Sequence, residues 1–481
     1  VSADWLVLKF GGTSVSGRAQ WEAIAALARQ RLDDGHRVVL VCSAVSGITD
    51  ALQGLLDHAA EGAEERLDEI RRRHHRLARE LGVKSGDLVD RAMDDISRLL
   101  PGIADTTHDS NRYRAIASLL SLGEWLSTRI GARFLAQRLP VEWVDVREAL
   151  QALPEADLAG RRSWLSARCD SRPDRDLQGR WLEKSPLLIT QGFIAAHAAG
   201  ATALLGRGGS DTSAALLAGR LQARQIEIWT DVPGLFSADP RVLEGARLLQ
   251  RLSYEEALEM AASGAKVVHP RCIRAASDCE VPVHVRDLGR PDLAGTIITH
   301  GHGAGGKGRE GIRAVCHQPR MAVLLLRNLD TREHVGFLAW VFAQVSAEGL
   351  SVDQVATSET TTTIALNRVS NHLDDATLQR TAARLQGRCE VCVYPRCSGI
   401  NLVGRGARTA LAHIDSGHGF FADHPLLMLS QSANDLCISM LLQEQDAPEL
   451  VRSLHRALIE DRAGSARSDE VFGPRWQDLR G

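Results

Sequence analysis

Trp5–Phe10 (WLVLKF) reads as a strand that runs directly into Gly11-Gly12-Thr13-Ser14. A helical pattern follows over Ala19–Leu32, Gly35 closes it, and Val38–Val41 reads as a second strand. Strand, glycine turn, helix and strand in that order specify the α/β class with a parallel sheet. Residues 60–140 turn helical: Leu67, Ile70, His74, Leu77 and Leu81 recur three and four apart and share one face. His74 and His75 on that helix lack a partner pattern and read as structural. Residues 155–185, rich in Arg, Asp and Pro, read as a surface excursion. Strands return at Leu187–Thr190 and Ala203–Leu205, then come Gly206-Arg207-Gly208-Gly209-Ser210 and a helix from Asp211. Gln225–Trp229 is a further strand, Ser253-x-x-Glu256 a capping box for the helix to about Ser263, and Val281–Val285 the last strand of this part.

After His300–Lys307 the texture changes. Met321–Leu326, Ser351–Ser358 and Thr361–Leu366 read as strands, with helices over Gly336–Glu348 and Leu373–Leu385. A second copy is expected from near Asn401, with a helix over Ala407–Ile414, strands at Leu426–Leu429 and Leu436–Leu441, and a helix over Ala447–Ile459. Two βαββαβ units fit two ferredoxin-like modules. Arg462–Gly481 is polar without a period and reads as a tail or linker. The expected divisions are thus 1–305, 318–463 and 464–481.

The 481 residues allow two to four domains at roughly 100–200 residues each. With 57 Lys+Arg against 60 Asp+Glu, the net charge of −3 gives no electrostatic reason to expect nucleic-acid binding. No apolar run approaches the ~20 residues of a membrane span. Asp4 and Lys9 interrupt the first ten residues, so no secretory leader is expected. Nine scattered cysteines, an odd number, suit a reducing cytoplasm. Cys389, Cys392 and Cys397 form the tightest group. The group lies in an apolar strand-like run, Glu390–Tyr394, without a second ligand cluster, so they read as buried thiols and no protein metal ligand is expected.

Three segments carry chemistry. A lysine at a strand end beside a two-glycine turn (Lys9–Ser14) suits a polyanion, because Gly11 and Gly12 let backbone N–H groups approach phosphate oxygens. Its spacing is neither a P-loop nor G-x-G-x-x-G. Gly206–Ser213 (GRGGSDTS) adds an arginine that can grip a carboxylate with two parallel hydrogen bonds, although Ser210 or Asp211 can also simply cap the helix. Thr230–Phe236 with Asp239-Pro240-Arg241 suits a ribose or base pocket, but alone it is only a turn.

Together with Ser43–Asp50 (SAVSGITD), Gly123-Glu124 and Lys266–Pro270 (KVVHP), these segments resemble the aspartokinase family of the amino-acid-kinase superfamily, in the family's order across residues 5–300. Gly336–Phe342 (GFLAWVF) and Ser351–Glu359 (SVDQVATSE) resemble the paired ACT regulatory domains of lysine-sensitive members. The resemblance implies a mostly parallel sheet sandwiched by helices, followed by two ACT modules. It implies ATP-dependent, Mg²⁺-assisted phosphorylation of the β-carboxylate of L-aspartate to L-4-aspartyl phosphate. That reaction opens biosynthesis of the aspartate-family amino acids, lysine, threonine and methionine.

By the same resemblance Lys9, Arg207 and Asp211 are the catalytic set, and Ser43, Thr49, Glu124 and Arg207 hold the substrate. Glu124 would take its ammonium and Arg207 a carboxylate. Lys9, Gly11, Gly12, Thr230, Asp231, Phe236, Arg241 and Lys266 would lie along ATP. Gly336, Phe337, Leu338, Ser351, Val352, Asp353, Ser358 and Glu359 would hold an effector, lysine first and threonine second. A cytoplasmic homodimer or larger assembly through the ACT modules is expected. Relatives are sometimes fused to homoserine dehydrogenase or diaminopimelate decarboxylase, and no such second catalytic unit fits within 481 residues.

Three departures stand out: Phe236 where relatives often have Tyr, Trp125 where they usually have Arg, and Asp330–Val335 (DTREHV) in the first regulatory segment. Two alternatives remain: a sibling kinase acting on glutamate, acetylglutamate, carbamate or a nucleotide, and a catalytically dead ACT-based sensor. The paired regulatory modules and Arg207–Ser213 argue against the first. Lys9, Arg207 and Glu124 argue against the second.

Overall fold

The computed structural model describes residues 4–57, 62–104, 109–154, 160–265, 267–301, 311–327, 335–410, 424–461 and 471–479. Lys266, residues 330–334 and 411–414, and most of the His300–Lys307 stretch therefore lie outside the described residues. The chain forms two compact units. The first holds residues 1–235, 250–254 and 266–301, and the second 236–249, 255–265 and 302–481.

The first unit begins β1 (Trp5–Phe10), α1 (Arg18–Asp33), β2 (Arg37–Cys42), α2 (Ile48–Asp57), α3 (Ala63–Leu81), α4 (Gly86–Ala104), α5 (Asp109–Leu135) and β3 (Val141–Trp143). It continues with α6 (Arg161–Leu165), α7 (Arg175–Leu182), β4 (Leu187–Gln191), the hairpin β5 (Ile194–Ala196) and β6 (Thr202–Leu204), α8 (Gly209–Leu221) and β7 (Gln225–Thr230). β9 (Arg251–Ser253), α10 (Pro270–Asp278), β10 (Val283–Asp287) and β11 (Thr296–Thr299) complete it. Eight strands form one sheet in the order β3-β4-β2-β1-β7-β10-β11-β9. Every neighbouring pair is parallel except β10 and β11. Central strands of such a sheet are covered on both faces and read as unbroken apolar runs, as β1, β2 and β4 do. Val281–Val285 is not the last strand: β11 follows it, a TIIT segment too short for sequence periodicity to reveal.

β1 sits between β2 and β7, so the strand order reverses at β1. In open α/β sheets the binding crevice lies outside the carboxyl ends of the strands at that switch point. Register places Lys9 opposite Val41 and Ile228, at the ends of all three strands.

Buried pairs lock the helices to this edge. Arg31 of α1 donates to both oxygens of Glu227 on β7, at 3.0 and 3.3 Å, and Trp229 Nε1 donates to the same carboxylate at 3.0 Å. Glu227 is fully buried, and this network satisfies its charge. Trp21 is also fully buried and donates Nε1 to Val15 O at 3.0 Å. Its ring fills the space above Gly131 of α5, where an added Cβ would fall 1.9 Å from the indole.

The second unit contains β8 (Arg247–Leu249), most of α9 (Tyr254–Ala262), β12 (Ala314–Arg327), α11 (Phe337–Ala347), β13 (Gln354–Thr357), β14 (Thr361–Asn367), α12 (Asp375–Leu385), β15 (Glu390–Val403), β16 (Met428–Gln431), β17 (Cys437–Gln443), a helix over Ala447–His455 and β18 (Phe472–Arg475). Six strands form an antiparallel sheet in the order β13-β14-β12-β15-β17-β16. Its first half has the expected βαββαβ order, with Val341, Val345, Leu378 and Leu385 of α11 and α12 buried against Leu324, Leu326, Ile364 and Leu366. β12 and β15 each run 14 residues through both halves. The fourth strand of the second half is therefore Ala314–Gln318, which precedes the first half in the chain.

The tail reading needs correction. Phe472–Arg475 pairs with Arg247–Leu249, Val471 and Phe472 are buried, and Trp476 meets Phe236 edge-on at 5.4 Å. Three apolar residues scattered among polar ones show no period, yet they suffice to dock a short strand. Among the described residues no helix is long and apolar enough to cross a membrane.

Candidate active site

A cavity of about 1200 Å³ opens at the carboxyl edge of β1 and β2 in the first unit. Lys9 reaches it from the end of β1, where Nζ stands 2.6 Å from Asp211 Oδ1; both side chains are nearly buried. Asp211 lies in the first turn of α8, where the helix dipole favours an acid. The turn that delivers it passes through Gly208 at φ 64, a left-handed conformation. A Cβ on Gly208 would fall 2.1 Å from the His269 ring. His269 itself accepts the Arg271 N–H at 3.2 Å and caps α10, and burial lowers its pKa, so the ring serves as a neutral acceptor.

The loops after β1 and β2 are bound to each other. Gly12 O accepts from Ser46 N at 3.2 Å and from Ser16 Oγ at 2.6 Å. A Cβ on Gly12 would lie 2.9 Å from Ala44 O, so this approach needs glycine. Ser127 Oγ of α5 donates to Ser43 O at 2.7 Å, which fixes α5 against the same loop. That contact sets Glu124 into the cavity wall. Glu124 is 3% exposed and has Oε2 unpartnered, and burial raises its carboxyl to about 8 despite help from the Ala44 N–H. A buried, half-satisfied carboxyl of this kind suits a cationic group of a ligand.

The structure gathers Lys9, Gly12, Ser43, Thr49, Glu124, Arg207 and Asp211 around this one cavity. Gly11 adjoins it, with its Cβ direction 3.5 Å from Lys9 Nζ. Thr230 and Asp231 line a second cavity of about 450 Å³, and Thr13 lines both. Phe236 and Arg241 belong to the second unit, where Phe236 is buried and Arg241 donates Nε and Nη2 to Asp239 at 3.0 and 2.8 Å.

The expected effector residues also lie in the second unit. Gly336, at φ 90, opens α11, with Phe337 buried and Leu338 exposed. Val352 packs on the first-half core. Ser351 N donates to Asn371 Oδ1 at 2.6 Å, and Asp353 Oδ2 accepts the Asn367 N–H at 2.6 Å. Burial pushes the Asp353 carboxyl up. Ser358 Oγ bonds Thr361 Oγ1 at 2.7 Å, and Glu359 is exposed beside it.

Sequence reading misses two parts of this site. Phe193 lines the cavity at φ 71, a strained conformation for an aromatic residue, held by a 2.9 Å bond from its N–H to Ser213 Oγ. Its only signal is the Gly-Phe step closing β4. Arg161, Arg162 and Ser166 also line the cavity, although their segment reads as surface excursion. Buried Trp164, stacked on His197 at 3.7 Å, anchors that segment to the body of the unit. Elsewhere His74 is buried, with Nδ1 bonded to Ile70 O at 2.8 Å. Cys397 is buried, and Cys389 and Cys392 are half-buried free thiols.

Comparison with known proteins agrees with this geometry. Residues 4–287 match the amino acid kinase family. Lysine-sensitive aspartokinase 3 of Escherichia coli (strain K12) is 31% identical over 464 residues, covering 95% of this chain and 100% of that one. Chloroplastic aspartokinase 2 of Arabidopsis thaliana is 29% identical over 94% of this chain and 84% of its own. Among solved structures, E. coli aspartokinase III in complex with aspartate and ADP (R-state) superposes with a TM-score of 0.77 at 30% identity, covering 95% of this chain and 100% of that chain. The same enzyme with lysine and aspartate (T-state) gives 0.76 at 29% identity, over 94% and 99%. The chain therefore belongs to the aspartokinases of the amino acid kinase family.

Proposed function

We propose that this chain transfers the γ-phosphoryl group of ATP to the β-carboxylate of L-aspartate, giving L-4-aspartyl phosphate and ADP. The observation that carries this reading is Lys9 held against Asp211 in the same cavity as Arg207 and the buried Glu124. The relative solved with aspartate and ADP supports both substrates.

A carboxylate is already ionised near pH 7, so the reaction needs no general base. The barrier lies in bringing an anion up to a polyanion, and catalysis is positioning plus charge neutralisation. Lys9 stabilises the transferring phosphoryl group, and Asp211 holds the ammonium of Lys9 in place. Arg207 grips a substrate carboxylate, Glu124 takes the substrate ammonium, and Ser43 and Thr49 complete the aspartate pocket. Gly11, Gly12, Thr230 and Asp231 lie along ATP, and Lys266 is assigned to it by the family resemblance. Mg²⁺ bound with the nucleotide would be held largely by phosphate oxygens and would reduce the charge of the transferring group. The Asp211 carboxylate on the cavity wall is an oxygen donor of the kind that ion takes.

Residues 1–305 are assigned the catalytic role and 318–463 the regulatory one. Lysine is the proposed effector, supported by the lysine-bound relative, with its ammonium on Asp353. A cytoplasmic homodimer or larger assembly is proposed, with the exposed Leu338 and Phe342 on one face of α11 as apolar area for a second copy to cover. Sedimentation as a monomer at working concentration would count against it. The decisive experiment is ATP turnover with and without aspartate, repeated with glutamate and with added lysine. Aspartate-dependent turnover restrained by lysine is expected. Turnover with glutamate alone would favour a sibling kinase, and no turnover a sensor.

A further inference from the structure

The cavity continues well past the residues assigned to catalysis, and its outer wall is cationic. Arg112, Ile116, Leu120 and Glu124 line it at four-residue intervals, a single stripe along α5. At 1.5 Å per residue, Arg112 stands about 18 Å along the helix from Glu124. That is beyond the reach of an aspartate seated on Glu124 and Arg207. Its Nε is buried and unpartnered.

Opposite, α6 presents Arg161 and Arg162 to the same space, one turn before Leu165 and Ser166. Ser166 Oγ lies 2.9 Å from where a Cβ on Gly206 would be, so α6 abuts the turn carrying Arg207. Buried Ser163 and Trp164 turn the other side of α6 into the protein, which leaves the two arginines on the cavity side. Among the described residues, Asp50 is the one acid in this outer part of the lining. The whole chain carries a net charge of −3, so this cationic wall is a local feature and not a reflection of overall charge.

We infer that Arg112, Arg161 and Arg162 form an entry subsite for dicarboxylates, which collects the acid substrate and passes it inward to Arg207. A cleft lined by one sign of charge between low-dielectric walls focuses its field and raises the local concentration of the opposite ion. The inference rests on the aspartate kinase reading for the identity of the acid, and on the cavity alone for its charge.

The test replaces Arg161 and Arg162 together by Gln, and in a second protein by Glu, with Arg112→Gln as a third. Steady-state rates are measured for aspartate and for ATP from about 0.01 M to about 1 M salt, across which the Debye length shortens from about 30 to about 3 Å. The Gln pair should raise the aspartate KM about tenfold at low salt, with the turnover number at saturation nearly held. The Glu pair should raise KM further, and all three differences should shrink as salt rises. An effect on ATP instead of aspartate would assign these cations to the nucleotide and overturn the proposal. So would a Glu pair no worse than the Gln pair, or a loss indifferent to salt. If the wild-type enzyme shows no aspartate-dependent turnover, the kinase reading fails separately. The subsite is then tested by titrating succinate into wild type and the Gln pair: weaker, less salt-dependent binding by the variant supports it, and equal binding overturns it.

Discussion

Lys9 Nζ lies 2.6 Å from Asp211 Oδ1, joining the end of β1 to the first turn of α8. In the proposed reaction the pair would keep a cation fixed where charge develops during phosphoryl transfer, instead of leaving it to swing on a four-carbon stem. Lys9→Ala should lower kcat by about 10²–10³-fold and move the KM for ATP far less. Asp211→Asn should also lower kcat, because Lys9 loses its anchor. A near-wild-type turnover number in Lys9→Ala would remove Lys9 from the chemistry.

Glu124 makes the site sensitive to pH. Burial lifts its carboxyl from the ordinary 4.5 to about 8. Between those values the folded chain keeps a proton that the unfolded chain releases. This position's contribution to stability is therefore present below about 4.5 and is lost as pH rises to about 8. Glu124→Gln should accordingly melt above wild type at pH 8. Its aspartate KM should be raised more at pH 8 than at pH 6, where the wild-type carboxyl is itself mostly protonated. An equal KM penalty at both pH values would refute pairing with the substrate ammonium.

Gly131 is required by Trp21. An added Cβ would overlap the indole, which also holds Val15 O through Nε1 and so supports the turn after Gly12. Gly131→Ala should cost about 1–3 kcal/mol in denaturant unfolding through overpacking. It should also lower activity, because the displaced ring releases that turn. Full stability in this variant would show that the helix shifts freely.

The central strands and the Lys9 and Arg207 turns were legible because local sequence dictates them: apolar runs, glycines at forced close approaches, and charged residues at strand ends. What escaped was non-local. The strand Ala314–Gln318 exists through its pairing with Asn401 and its neighbours. Arg161 and Arg162 face the cavity because Trp164 is anchored on His197, a contact with no trace in their own segment. The Glu124 environment depends on Ser127 reaching Ser43, 84 residues away in the chain. The family resemblance pointed to Glu124, but its buried, half-satisfied state had to come from the fold.

The tail strand offers a test of that lesson. Trp476 packs on Phe236, and Phe472 lies against Leu249. Trp476→Ala should cost about 1–3 kcal/mol in the unfolding of the second unit. Deleting residues 471–481 should cost more, since the β18–β8 pairing goes as well. Unchanged melting after the deletion would return the segment to the status of a linker.

Asp353, the acid proposed to hold the effector, is partly buried. Its Oδ2 accepts the Asn367 N–H at 2.6 Å while desolvation raises its pKa, so the carboxylate is held in place and left short of positive charge. A lysine α-ammonium beside it would supply that charge and favour the ionised form. Asp353→Asn keeps the shape and removes the charge. It should raise the half-inhibiting lysine concentration by about tenfold or more, about 1.4 kcal/mol of lost binding. The rate without lysine serves as reference, and lysine titration should release a steeper pH dependence in wild type than in the variant. An unshifted inhibition curve would place the effector's ammonium on another acid.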